Sequence, residues 1–171
     1  MLSERLEEAL NRQINAELYS AYLYLSMEAY FRSVNLEGFA RWMRAQALEE
    51  MTHADRFAKY ISNRQGRVVL DGIARPPVDW DSPRDVFEKV LEHERKVTAL
   101  IFDLVALAEK EKDYSTGSML QWFVNEQVEE EATAEGILGQ LKLVGDNGNG
   151  LLMIDRELGT RVFAPEPPAG R

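Results

Sequence analysis

The sequence predicts an all-α protein: a four-helix bundle with a long crossover between its second and third helices and a short fifth helix at the C-terminus. Three observations predict it. Four long segments carry apolar residues at i, i+3, i+4, i+7 spacing, the repeat that gives a helix one apolar face. Between the second and third of them, GRVVLDGIARPPVDWDS (66–82) holds glycine and proline but no sustained helical repeat. The chain has 171 residues, enough for one domain with a sizeable core.

The first helix runs from about residue 3 to 32, with Ser3 as N-cap and a stripe of Leu10, Ile14, Ala21 and Tyr24. SVN (33–35) interrupts it, and Asn35 is read as the cap of the second helix, which continues to a stop at Gly66. Phe39, Met43, Phe57 and Ile61 form the second stripe. Short loops serve antiparallel neighbours, but about 17 extended residues at ~3.3 Å each outreach the ~42 Å of a 28-residue helix. Residues 66–82 are therefore expected to cross the bundle's length and leave the second and third helices parallel.

DSPRD opens the third helix, with Ser82 as N-cap, Pro83 at the first position and Asp85 in the first turn. Its stripe is Phe87, Val90, Val97, Ile101 and Leu104, ending near Lys112. DYST (113–116) breaks the chain, and the fourth helix carries Leu120, Phe123, Ala134, Ile137 and Leu141 to Val144. GDNGNG (145–150) reads as loop, LLMIDRELGTR (151–161) as the fifth helix. Residues 1–162 are read as the domain and 163–171 as a mobile, proline-rich tail.

Composition narrows the function. The net charge is −9, which argues against nucleic acid, because phosphate binding needs a basic face. Cysteine is absent, so neither disulfides nor thiolate metal sites form. The N-terminus MLSERLEEALNR has no apolar signal-peptide core, and no apolar run is long enough for a bilayer. A cytoplasmic protein without membrane or nucleic-acid partners is expected.

Each stripe is interrupted near its middle by a metal-competent side chain. Glu17 lies between Ile14 and Ala21, and Glu94 between Val90 and Val97. Glu50 and His53 lie between Met43 and Phe57, while Gln127 and Glu130 lie between Phe123 and Ala134. Spacing i, i+3 puts both members of a pair on one face. Glu17 and Glu50 are 33 residues apart, and so are Glu94 and Gln127; a shift of 77 maps the first set onto the second. The turns fall about midway, so antiparallel pairing brings every set to one height. An unpaired buried carboxylate carries a penalty of several kcal/mol, and no lysine or arginine shares these stripes at that height. Four carboxylates are balanced by two divalent cations, and Glu with one His and no sulfur suits iron or manganese.

With these residues in place, the chain resembles the non-haem bacterial and archaeal ferritins over nearly its whole length. The resemblance rests on Glu17 in AELYSAYLYLSM, Glu50 and His53 in LEEMTH, Glu94 in EHERK, and Gln127 and Glu130 in NEQVEEE. It implies a ferritin-like fold and a catalytic ferroxidase centre. There Glu17 and His53 hold one iron, Glu94 and Glu130 the other, Glu50 bridges, and Gln127 stands close by. Tyr24 matches the tyrosine the family keeps beside this centre. Glu49, Glu126 and Glu129 match a third, weaker iron site. Gln127-x-x-Glu130 departs from the Glu-x-x-His of bacterioferritins. Met51 falls where those proteins keep a haem-ligating methionine, but it reads as an ordinary apolar residue, and haem is not expected. His93, next to Glu94, reads as a solvated or interface histidine.

Assembly is expected too. Leu18, Tyr19, Tyr22, Leu23 and Leu25 spread apolar surface beyond one stripe. The fifth helix is too short to hold alone, so Leu151, Ile154 and Leu158 need a partner, and the resemblance implies subunits meeting around an axis. A homo-oligomeric shell of 24 subunits follows, octahedral or open-pored tetrahedral. It would store iron by oxidising Fe(II) with dioxygen. A di-iron or di-manganese oxidase acting on another substrate would call for a substrate pocket or redox module, and a DNA-protecting shell for a basic tail. The chain shows neither.

Overall fold

The computed structural model describes residues 2–164, and within them it contains five helices and no strand. They are α1 (Glu4–Ser33), α2 (Glu37–Asn63), α3 (Pro83–Glu111), α4 (Tyr114–Val144) and α5 (Gly148–Leu158). No described helix is long and apolar enough to cross a membrane. The expected mobility of 165–171 lies outside the described residues.

Capping explains most boundaries. The Ser3 hydroxyl accepts from Leu6 N at 3.1 Å, Ser82 from Asp85 N at 3.1 Å, and the Asp113 carboxylate from Thr116 N at 3.0 Å. Asn35 does not cap α2. It sits past the end of α1 at φ 60, in the left-handed region asparagine tolerates, and Leu36 precedes α2 without a side-chain cap. The cap comes instead from α5: Asp155 Oδ1 accepts from Gly38 N at 2.8 Å and Phe39 N at 3.0 Å. Glycine is required at 38, because a Cβ there would lie 1.6 Å from the Asp155 carbonyl oxygen. α5 also starts earlier than its apolar residues imply. Asn147 accepts from Gly150 N at 3.1 Å, which folds Gly148–Gly150 into the first turn.

Polar side chains of α1 lay out the crossover. Asn11 Nδ2 donates to Arg67 O at 2.9 Å, Asn15 Nδ2 to Gly72 O at 3.1 Å, and the Ser26 hydroxyl to Pro77 O at 2.6 Å. Trp80 then meets Tyr30 edge-on at 5.4 Å. The connector thus follows α1 from its early turns to its end, and α3 begins where α2 begins. α2 and α3 are parallel.

Every residue of the four apolar stripes is buried. They do not form one continuous core. Tyr24, Met27, Phe31, Phe39, Met43, Phe87, Val90, Ala134 and Leu141 belong to one apolar cluster, which Ile154 and Leu158 of α5 complete. Leu6, Leu10, Ile14, Phe57, Ile61, Val97, Ile101, Leu120 and Phe123 belong to a second. α5 therefore packs on the end of its own bundle. Between the two clusters lies a belt of buried polar side chains.

Candidate metal centre

The belt comprises Glu17, Glu50, His53, Glu94, Gln127 and Glu130, all buried. Each occupies a position where the helical repeat calls for an apolar residue, so the bundle's own geometry points all six inward. Ligand atoms of Glu17, Glu50 and His53 lie within 4.8 Å of one another. His53 Nδ1 stands 3.3 Å from Glu50 Oε2, and its ring meets Trp122 and Phe123 edge-on at 5.4 and 5.9 Å. Gln13 Nε2 donates to Glu17 Oε1 at 2.8 Å, while Glu17 Oε2 is buried with no hydrogen-bond donor among the described residues.

The second hairpin's groups are held differently. Glu94 accepts a short hydrogen bond from the Tyr24 hydroxyl on Oε1 and one from Gln127 Nε2 at 3.3 Å on Oε2. Gln127 Nε2 also reaches Glu94 O and Thr98 Oγ1, both at 3.2 Å. Glu130 Oε2 accepts from Gln46 Nε2 at 2.6 Å. All four carboxyls are pushed up. Burial, then the Glu50 charge, raises Glu17 to about 8, and burial, then Glu94, raises Glu130 to about 8. Glu50 is raised well above the usual range by burial and by Glu94 and Glu130. Glu94 is raised by burial against the opposing pull of Tyr24 and Gln127. Burial and the Glu94 charge also raise Tyr24, which keeps it a proton donor at neutral pH.

Carboxyls that resist ionisation, one with an orphaned oxygen, and an imidazole among them form a cation site in search of its charge. Glu17, Glu50 and His53 could hold a metal ion, and carboxylates with one imidazole and no sulfur suit iron or manganese.

Comparison with known proteins gives the chain's relatives. The sequence pattern of the ferritin-like domain family matches residues 7–144. A bacterial non-heme ferritin of Bacteroides fragilis is 49% identical over 161 residues, covering 94% of this chain and 100% of that protein. One from Staphylococcus aureus is 40% identical over 166 residues, covering 97% and 100%. An open pore ferritin from the archaeon Archaeoglobus fulgidus has a TM-score of 0.94 at 52% identity, covering 95% of this chain and 100% of that one.

The chain belongs to the ferritin family.

Other sequence expectations for this ferritin meet specific surroundings. Glu49 is half-buried and its Oε2 accepts a short ion-pair contact from Arg161 Nη2. Glu126 is half-buried, and Glu129 is exposed. Met51 is half-exposed on α2. His93, read as a solvated or interface histidine, is half-buried in the single chain. Its Nε2 lies 2.8 Å from the Ser20 hydroxyl, its ring packs against Tyr19 and Tyr24, and burial lowers it to about 4. Three neighbours of the belt escaped the sequence reading. Gln13 and Gln46 each precede a belt glutamate by four residues, the spacing that shares a helix face, so a signal for them existed. Arg161, read from the sequence as the end of the fifth helix, lies beyond it, because α5 ends at Leu158.

Proposed function

We propose that this ferritin stores iron in the cytoplasm, using its buried belt to oxidise Fe(II) with dioxygen before ferric mineral is deposited inside a multi-subunit shell. The clustering of Glu17, Glu50 and His53 opposite Glu94 and Glu130, with no buried lysine or arginine among the described residues to neutralise them, is the observation that carries this reading. Iron is the substrate. Two Fe(II) ions balance four carboxylates; Glu17 and His53 hold one, Glu94 and Glu130 the other, and Glu50 bridges. Each ion gives up one electron, and dioxygen with two protons leaves as hydrogen peroxide.

The chain's own groups set the course of this reaction. As the ions enter they displace the protons that burial keeps on Glu17 and Glu130. Gln13, Gln46, Gln127 and Tyr24 hold the carboxylates by hydrogen bonds, and Trp122 and Phe123 wall the His53 side. Oxidation raises the bound charge by two with no matching carboxylate, so the ferric product is held only until it hydrolyses and leaves. Glu49, Glu126 and Glu129 offer the next acidic stop.

Assembly into 24 copies is the state in which this works. Tyr22 on α1 and Leu70, Ile73 and Val78 on the crossover are exposed in the single chain. Together with half-buried Leu18, Tyr19 and Leu25 they give an apolar side that another subunit would cover. Aerobic Fe(II) added to the purified protein, followed by size exclusion and electron microscopy, should yield iron-filled particles. Glu17→Ala with His53→Ala should abolish rapid oxidation in stopped flow while leaving the shell assembled. Unchanged kinetics in that double variant would remove the assignment.

A further inference from the structure

Arg161 sits just beyond α5 with its guanidinium against α2. Nη2 donates to Glu49 Oε2, and Cζ stands 4.7 Å from the centre of the Trp42 ring. Its delivery is rigid. Gly159 N donates to Asp155 O at 3.0 Å, Thr160 N to Glu157 O at 3.1 Å, and Arg161 N to Leu158 O at 3.2 Å, closing a turn on α5. Asp155 in turn fastens α5 to the start of α2. Neither partner is freely solvated: the Arg161 and Glu49 side chains are only 24% and 28% exposed. Arg161 Nη1 is buried with no partner among the described residues.

Glu49 is also part of the belt's electrostatics. It is the neighbour of Glu50, and its charge is felt by both Glu50 and Glu130. The position is thus one where the fold itself places a cation beside the acidic cluster, held by an ion pair and by the face of an indole. A metal ion moving out from Glu50 or Glu130 meets this guanidinium at the next carboxylate.

We propose that Arg161 is a tethered counter-ion that keeps Glu49 from binding metal, so that a cation leaving the paired site must displace the guanidinium before Glu49 can ligate it. The proposal rests on the reading of the belt as a metal site and names how exit from that site is regulated. It gives α5 a part in iron movement, because the turn that carries Arg161 is built on it.

Tb(III), a redox-inert trivalent ion that prefers oxygen ligands, tests this in the assembled full-length protein. Bound ions are counted by equilibrium dialysis, and luminescence sensitised by Trp42 reports binding near Glu49. Arg161→Gln should bind an additional ion per subunit, at least about 10-fold tighter than any such step in the parent protein, as for changes to groups around a metal site. That step should be lost in Arg161→Gln with Glu49→Gln, and its luminescence in Arg161→Gln with Trp42→Phe. Arg161→Lys keeps the charge without the planar fork, so it should fall between the two. Superimposable titrations of parent, Arg161→Gln and Arg161→Lys overturn the proposal, as does an extra ion that survives Glu49→Gln. The parent protein separates the two levels. Ions that vanish with Glu17→Ala and His53→Ala uphold the paired site whatever Arg161 does; a parent that binds none defeats both readings.

Discussion

The α1–α2 and α3–α4 hairpins carry matching acidic positions, yet they hold them in opposite ways. The first gathers Glu17, Glu50 and His53 within 4.8 Å and leaves a Glu17 oxygen without a donor. The second satisfies its carboxylates, and it does so largely with groups borrowed from the first: Tyr24 of α1 for Glu94, and Gln46 of α2 for Glu130. One hairpin is therefore a concentrated, unsatisfied ligand set, and the other supplies charge whose geometry its neighbour controls. If the belt holds two ions as proposed, the difference predicts an order of loading, with the first entering at Glu17, Glu50 and His53.

The strongest way to break that asymmetry is to compare paired deletions. Glu17→Ala with His53→Ala should slow oxidation at least 100-fold, since even changes around the ligands cost about 10–100-fold, and should abolish the first Zn(II) binding step. Glu94→Ala with Glu130→Ala should also stop oxidation, which needs two ions, but should leave one Zn(II) bound per subunit by calorimetry. Equal loss of binding in both variants would mean the hairpins contribute alike. A smaller effect is expected from Gln46→Leu. It removes the donor to Glu130 and should weaken the second Zn(II) step about 10-fold while sparing the first.

Acidity probes the same comparison from both sides at once. Glu17 and Glu130, one from each hairpin, are both raised to about 8 from an ordinary value of 4.5. Between those limits the folded, metal-free protein binds more protons than the unfolded chain, so stability falls as pH rises. Lowering the pH from 8 to 6.5 should raise the melting temperature of the metal-free protein. His93, lowered to about 4 from 6.5, begins to oppose this near the lower end of that window and does so fully only below it. Saturating Zn(II) should flatten the dependence, and a metal-free melt that is level from 8 to 6.5 contradicts the carboxyl assignment. The smallest effect belongs to Asp155→Ala. It uncaps α2 far from the belt and should cost about 1 kcal/mol in thermal melts with both Zn(II) steps intact.

Much of this was legible in the sequence because helical periodicity is local. All the stripe residues are buried, and the six belt residues share one buried layer, as their common spacing of 33 required. What failed was tertiary. Asn35 looked like a cap because asparagine commonly is one, but the amides of Gly38 and Phe39 are claimed by Asp155, well over a hundred residues later. GDNGNG looked like pure loop because glycine disfavours helix, yet Asn147 supplies the cap that recruits it. Leu151, Ile154 and Leu158 looked unpartnered, whereas Ile154 and Leu158 close the end of their own bundle with Leu151 packed beside them. The Arg161–Glu49 pair gave no signal either, since the expected fifth helix ran to Arg161 whereas α5 ends at Leu158 and a turn beyond it places the side chain.

The acidic layer crosses the subunit at its waist, where a hydrophobic core would ordinarily be thickest. Two apolar halves are left to cohere across a layer of carboxyls that burial keeps from ionising. On the proposed function, iron arriving there would act as a rivet as well as a reactant. Resistance to heat and to proteases should then track cargo, with the protein at its toughest while it is in use.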